Sequence, residues 1–160
     1  MPQARTADNS LARTVIVVMA LLLACAVAII VALDTRPSGG LRIPAGSHVV
    51  HVDEHDFGIH IPALTMPHGN YVFVDTNHGP SAHELVMWKT ALTAGHVPVG
   101  ANSKVNEDSP ALESALDSGS SLNPGETRLL TTTLEPGHYI MVCNLPGHFM
   151  AGMHLDITVT

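Results

Sequence analysis

The sequence contains few cysteines and few basic residues, and both shortages limit what the protein can be. Only two of its 160 residues are cysteines. Cys25 lies in an apolar N-terminal run, and Cys143 lies near the C-terminus among both polar and apolar residues. We do not expect them to pair, which excludes a fold held together by disulfide bonds. From residue 37 onward there are four basic and twelve acidic residues, a net charge of −8 with histidines neutral. This balance argues against nucleic acid as a partner.

The N-terminal region has the features of a membrane anchor. Residues 14–33 carry no charge over 20 positions, and a helix of that length spans the roughly 30 Å of hydrocarbon in a bilayer. Arg5 and Arg13 precede this segment and Asp34 follows it. The positive-inside rule then places the polar tail 1–13 in the cytoplasm and the rest of the chain outside.

Two alternatives to the anchor also place the chain outside the cytoplasm. A cleaved signal peptide has a shorter apolar core, usually of about 7–15 residues, and ends in a small-residue cleavage site. A lipoprotein box is suggested by Leu22-Leu23-Ala24-Cys25, but eight apolar residues follow Cys25. We therefore favour an uncleaved transmembrane helix, followed by a linker rich in Pro, Gly and Ser at 34–47.

The remainder, residues 48–160, has the pattern of a domain built from short strands. β-Branched and aromatic residues cluster between Gly, Pro and Asn turns, and this predicts strands at 48–52, 71–76, 83–88, 127–133, 138–143 and 153–159. One short helix is predicted, capped by Ser109 and running from Pro110 to about Asp117. The fold class is therefore all-β, an antiparallel sandwich or barrel, preceded by one transmembrane helix.

Three residues near the C-terminus have the chemistry of metal ligands. Cys143, His148 and Met153 follow one another as C-x4-H-x4-M between two predicted strands. With one further histidine they would complete the His2Cys set with a long axial Met that binds copper in mononuclear blue-copper centres. A buried, inert thiol is the usual role of a lone cysteine. The spacing of the histidine and the methionine favours the metal site instead.

Strand parity selects the methionine and the second histidine. Met153 has the parity of the apolar positions in its strand, which directs it inward, whereas Met150 is separated from His148 by one residue only. His83 has the parity of the apolar residues Leu85 and Met87. His78 lies in a Gly/Pro turn and is expected to be solvated. We therefore predict His83 as the fourth ligand.

The other histidines form one local cluster and several isolated positions. Four of them recur among three acidic residues within a short stretch: His48, His51, His55 and His60, with Asp53, Glu54 and Asp56. This cluster could be a weak second site for a divalent ion, but we favour a partly solvated strand and turn. His68, His96, His138 and His154 have no partner set.

Taken together, the motifs resemble those of the cupredoxins, the type 1 copper family that includes plastocyanin, azurin and rusticyanin. The resemblance covers residues 48–160 and includes Thr76-Asn77, His83-Glu84-Leu85-Val86, Pro124-Gly125, Glu135-Pro136-Gly137-His138-Tyr139 and the ligand loop from Cys143 to Met153. It implies a Greek-key β-sandwich. It also implies one copper ion, cycling between Cu(I) and Cu(II), bound by His83, Cys143 and His148 with Met153 axial.

Two departures from the family pattern are visible. Plastocyanin and azurin usually have Asn after the first histidine, where it holds the ligand loop in place; this chain has Glu84. The stretch 95–123 is also longer than the corresponding connection in plastocyanin.

A site of this kind indicates electron transfer rather than catalysis. Its ligands leave no position open, so we expect no small-molecule substrate and no enzyme activity. The expected function is one-electron transfer outside the membrane. A redox partner would dock near His148 on the apolar loop residues Leu145, Pro146, Phe149, Met150 and Ala151, unless Phe149 and Met150 instead pack over the metal. The alternative is a copper-binding protein for copper tolerance, buffering or delivery. A catalytic copper oxidase is disfavoured because the chain is too short for a second such domain.

Overall fold

The computed structural model describes residues 18–19 and 43–160. Val18 and Met19 are helical and exposed. The predicted tail 1–13 and almost all of the predicted anchor 14–33 lie outside the described residues. Within the described part of the chain, no helix is both long enough and apolar enough to cross a bilayer. The unit from Ile43 to Thr160 is compact, and its first strand begins at His48.

Residues 43–160 form nine strands in two sheets, with only two short 3-10 turns at Ala94–His96 and Ala101–Ser103. The strands are β1 His48–His55, β2 Gly58–His60, β3 Thr65–Met66, β4 Gly69–Asn77, β5 Leu85–Lys89, β6 Glu113–Asp117, β7 Thr127–Leu134, β8 Gly137–Cys143 and β9 His154–Val159. The first sheet has the order β2-β1-β4-β7 and the second β3-β9-β8-β5-β6. The all-β prediction is confirmed.

The predicted antiparallel arrangement is confirmed for five of the seven strand pairs and is wrong for two. β1 pairs with β4 in parallel, and β3 pairs with β9 in parallel, while the remaining strand pairs are antiparallel. β1 and β4 are not joined by a hairpin, because β2 and β3 intervene between them. The intervening chain returns to the starting end of β1, and the two strands then run in the same direction.

The core lies between the two sheets and follows the alternation of each strand. Along β4, the buried rings of Tyr71 and Phe73 stack with their centroids 5.6 Å apart. They pack in one cluster with buried residues of the second sheet, among them Met87 of β5, Met141 of β8 and Ile157 of β9. Burying side chains of this size gives about 1.5–3 kcal/mol each, so the inward faces supply the main stabilisation.

The predicted helix at 110–117 does not form. Ser109 does accept a hydrogen bond, from Ala111 N at 3.3 Å, and its carbonyl accepts one from Leu112 N at 3.0 Å. The chain then becomes β6, which pairs antiparallel with β5. The capping signal therefore produces a single turn, and pairing with an available sheet edge takes precedence over the local helix preference.

The long connection at 95–123 covers the outer face of the second sheet. Val97 and Val105 pack there against Trp88, Ile140 and Phe149 in a second buried cluster. The connection thus gives this sheet apolar cover on both faces. It also brings the backbone of Val105 close to the residue that follows Cys143.

One end of the core contains a buried pair of carboxyl groups. Glu54 and Asp75 are both fully buried, and Arg128 Nε donates to Asp75 Oδ2 at 3.2 Å. Neither side-chain oxygen of Glu54 has a hydrogen-bond partner. Burial, followed by the nearby Asp75 charge, raises the pKa of Glu54 to about 8, and burial also raises the pKa of Asp75.

This burial predicts that the metal-free protein loses stability as the pH rises. The folded pKa of Glu54 exceeds the unfolded value, so its contribution is fully present below pH 4.5 and is lost as the pH approaches 8. The free energy of unfolding should therefore fall by up to about 1.4 kcal/mol per pH unit in that window. Glu54→Gln should flatten this slope in denaturant titrations, whereas Glu113→Gln, at an exposed position, should not. Equal slopes for Glu54→Gln and the parent protein would contradict the prediction.

Candidate metal centre

Two neighbouring strands of the second sheet bring the first two predicted ligands together. Cys143 is the last residue of β8 and lies opposite Leu85, the first residue of β5. His83 precedes Leu85 by two residues and is therefore at the same end of the sheet. The backbone N of Glu84 donates to Cys143 Sγ at 3.3 Å, so the thiol is held where β5 begins.

The ligand loop is a run of tight turns that returns His148 to the thiol. His148 N donates to Leu145 O at 3.1 Å, and Met153 N donates to His148 O at 3.1 Å. Gly147 has φ of +82°, in the left-handed region that favours glycine. Cys143 N donates to Met153 O at 3.0 Å, which closes the loop at its base.

The structure brings three donor atoms to one point. His83 Nδ1 and His148 Nδ1 are 3.3 Å apart, and Cys143 Sγ lies 3.9 Å and 3.4 Å from them respectively. Donor atoms bound to one ion at about 2.0–2.3 Å have separations of this size. Among the described residues this is the one group of three or more His, Cys, Asp or Glu side chains whose donor atoms converge within 4.8 Å.

The surroundings of these atoms fit a copper ion. His83 and Cys143 are fully buried and His148 is half-buried, so the donor set is closed except near His148. Met153 is fully buried at the base of the loop, whereas Met150 is 63% exposed. A thiol, two imidazoles and a thioether are the ligands of a blue-copper site.

Protonation of the ligands depends on their burial. Burial lowers the pKa of His83, and the neighbouring His148 lowers it further, which favours the neutral imidazole that binds a metal. Burial raises the pKa of the Cys143 thiol to about 11, although backbone N–H groups of Leu145 and Glu84 act in the opposite direction. Metal binding must therefore displace a proton from the thiol.

A network around Asn77 positions His83. The Asn77 side chain donates to Ser81 O and Leu122 O, both at 2.8 Å, and accepts from Gly79 N at 2.8 Å. His83 itself exchanges two backbone hydrogen bonds with Leu122, at 3.1 and 2.7 Å. The turn that carries His83 is thus fixed at both ends. The sequence analysis noted Asn77 only as part of the family resemblance.

Asp56 supports the other side of the His83 ring. Its Oδ1 lies 3.2 Å from His83 Nε2, although the alignment falls short of a good hydrogen bond. The carboxylate is held by Ser81, whose N and Oγ donate at 3.2 and 2.9 Å. A Cβ at Gly79 would lie 2.6 Å from Asp56 Oδ1 and 2.8 Å from His83 Nε2, so glycine is required there.

An asparagine on the ligand loop itself, rather than a residue next to His83, holds the start of that loop. Asn144, directly after Cys143, accepts from Val105 N at 2.8 Å and donates to Val105 O at 3.2 Å and Glu107 Oε1 at 2.6 Å. The Glu84 side chain has no such role; one of its oxygens is buried without a partner. The long connection at 95–123 therefore anchors the start of the loop.

His78 lies outside the site. Its side chain is 47% exposed, and its Nε2 is 3.0 Å from Asp53 Oδ1. The sequence prediction that His78 is solvated is confirmed, and of His78 and His83 it is His83 that lies beside the thiol.

Comparison with known proteins gives a family and a set of similar folds. The sequence profile described as copper binding proteins, plastocyanin/azurin family, matches residues 42–160. Reduced auracyanin from the photosynthetic bacterium Roseiflexus castenholzii is similar in structure, with a TM-score of 0.54 and 18% identity over 72% of this chain and 99% of its own. Auracyanin A, a "blue" copper protein from Chloroflexus aurantiacus, gives a TM-score of 0.52 with 20% identity over 72% and 100%.

Reduced rusticyanin gives a TM-score of 0.51 with 19% identity over 70% of this chain and 79% of its own. At these identities the structural matches establish the fold. No curated protein sequence matches the chain significantly.

The Asp56 contact predicts a measurable effect on metal retention. Asp56→Ala removes the group beside His83 Nε2, and loss of such an outer partner lowers metal affinity about 10–100-fold. The affinity is measured by competition with a chelator, following the thiolate-to-copper absorption band. Asp53→Ala is the matched control, since that carboxylate contacts His78 instead. Equal copper retention by both variants would show that Asp56 does not support the site.

Proposed function

The chain belongs to the plastocyanin/azurin family of copper-binding proteins, and from this premise we propose that it carries single electrons between redox proteins outside the cytoplasmic membrane. It is a cupredoxin with one type 1 copper site, formed by His83, Cys143, His148 and Met153. The observation that carries the proposal is the convergence of the His83, Cys143 and His148 donor atoms in a set that is buried except near His148.

The residues around the site favour electron transfer over reactions that make or break covalent bonds. Bound copper supplies a one-electron couple at the ligand set. The protein holds the donor atoms of His83 and Cys143 in a fully buried position, fixed by Asn77 and Asn144. A fixed donor set requires little rearrangement when the charge of the site changes. Because the donors are buried, water has no direct approach to the thiol.

The proposed docking surface for a redox partner surrounds His148. Pro146, Met150 and Ala151 are exposed beside it. Phe57, at the tip of the β1–β2 hairpin, is 67% exposed, and its carbonyl oxygen lies near Gly152 of the loop. Phe149 instead packs into the second buried cluster, so the surface uses Met150 but not Phe149. An apolar patch of this kind suits brief docking.

The location outside the membrane is proposed from the sequence. The uncharged segment 14–33, with Arg5 and Arg13 before it, supports a single-pass anchor with the copper domain on the extracytoplasmic side.

The type 1 site and its redox function are tested together on the copper-loaded protein. We expect an intense thiolate-to-copper absorption band and a reversible couple with fast electron self-exchange. Cys143→Ser should abolish the band because it removes the thiolate. His83→Ala should change it because a ligand is lost, while His78→Ala should leave it intact. A band that survives in Cys143→Ser would overturn the type 1 assignment.

Copper handling is the second candidate, favoured by the surface histidines near the β1–β2 hairpin. The same redox measurements separate the two functions. A readily exchanged copper ion with a poorly reversible couple indicates buffering or delivery, whereas a tightly held ion with a reversible couple indicates electron carriage.

The anchor is tested by cell fractionation. We expect the full-length chain, 16.9 kDa, in the membrane fraction, and we expect added protease to digest its copper domain in cells whose outer barrier has been removed. Deletion of 14–33 should abolish both membrane retention and export. A domain protected from protease until the membrane is lysed would place it in the cytoplasm and refute the proposal.

A further inference from the structure

Three exposed histidines and one carboxylate meet at the end of the first sheet, outside the type 1 site. His55 ends β1, His60 ends β2, and His78 follows β4. The antiparallel register sets Asp53 opposite His60, and the parallel register of β1 with β4 brings His78 alongside. We call His55, His60, His78 and Asp53 the hairpin cluster.

Two of the three ring pairs in the cluster have the spacing of imidazoles that share one ion. The ring centroids of His55 and His78 are 5.2 Å apart, and those of His55 and His60 are 5.7 Å apart. The same structure supplies a reference distance, because the two imidazoles of the type 1 site, His83 and His148, have centroids 5.3 Å apart. The backbone has therefore already brought His55 to ligand spacing from each of the other two rings.

The rings of the cluster must turn before their nitrogens can bind one ion. Within the described residues, only the type 1 group has three or more donor atoms within 4.8 Å of one another, and His55 and His78 are stacked with their planes 18° apart. Rotation about χ2 of histidine is broad and low in energy. It redirects the nitrogens while the ring centre moves little. All three residues are exposed, so the rotation disturbs surface contacts only, among them the stacking of His55 on His78.

The Asp53 carboxylate already contacts one ring of the cluster. Asp53 Oδ1 lies 3.0 Å from His78 Nε2, and both side chains are about half exposed. A metal ion that binds there would gain a negatively charged oxygen ligand beside the imidazoles.

We propose that the hairpin cluster binds a second copper ion, as Cu(II), separate from the type 1 site. Three imidazoles and a carboxylate suit a borderline divalent ion, and Cu(II) binds most tightly among the divalent first-row metals. The set has no thiolate, so this ion would lack the intense absorption band of the type 1 site. The proposal goes beyond electron carriage, which needs only the buried ion. It gives the protein an exposed position for exchangeable copper, one residue away from Asp56 and its contact with His83.

The test counts copper ions on the full chain. The Cys25→Ser background removes the N-terminal thiol, and residues 1–42 contain no histidine. Protein with a filled type 1 site is exposed to Cu(II) in the presence of glycine as a weak competitor and then desalted. We expect two copper ions per chain, and a second Cu(II) signal in electron paramagnetic resonance without new thiolate absorption. The double variant His60→Gln/His78→Gln should bind one copper ion per chain.

The control and the contrary outcomes are specific. His96→Gln removes an exposed histidine that contacts Thr93 rather than another imidazole, and it should retain both ions. An unchanged thiolate band in each variant shows that the domain is folded. One copper ion per chain in the parent protein, or a second ion that persists in the double variant, would overturn the proposal. Binding of Zn(II) but not Cu(II) would overturn the choice of metal.

Discussion

The pairing of β5 with β8 is the constraint on which the metal centre depends. It sets Leu85 opposite Cys143 and so places His83 beside a thiol that lies 60 positions away in the chain. The pairing of β8 with β9 then closes the ligand loop, because Cys143 N donates to Met153 O. Both ends of the loop are fixed by one sheet, and the turns between them return His148 to the same point. The metal binds to a geometry that the strands have already established.

Some polar side chains around this point are hydrogen-bonded and others are not. Asn77 and Asn144 each fix one part of the site through hydrogen bonds to the backbone, and Asp56 lies beside the His83 ring. Glu54 and Asp75 lie nearby without full partners, and their burial raises their pKa values. The copper end of the sandwich thus contains buried polar atoms that lack hydrogen-bond partners, whereas the middle is apolar. Its stability should depend on pH for that reason.

The type 1 site and the hairpin cluster differ in what surrounds them. The type 1 ligands are buried and preset, which suits an ion that stays bound while its charge changes. The hairpin cluster is exposed and its rings make surface contacts, which suits an ion that exchanges with solvent. Asp56 lies next to His55 in the chain and contacts His83. A single hairpin therefore connects the surface histidines to the buried site.

The sequence by itself determined most strands, the metal-ligand loop and the choice of His83 and Met153 as inward-facing residues. These features follow from a period of two along each strand and from short spacings, which are local properties. Tertiary structure alone decided that 113–117 is a strand, because β5 offers it an edge, and that β1 and β4 run parallel. It also selected Asp56 and Asn144 as supports, since their partners are distant in the chain and no local pattern marks such contacts.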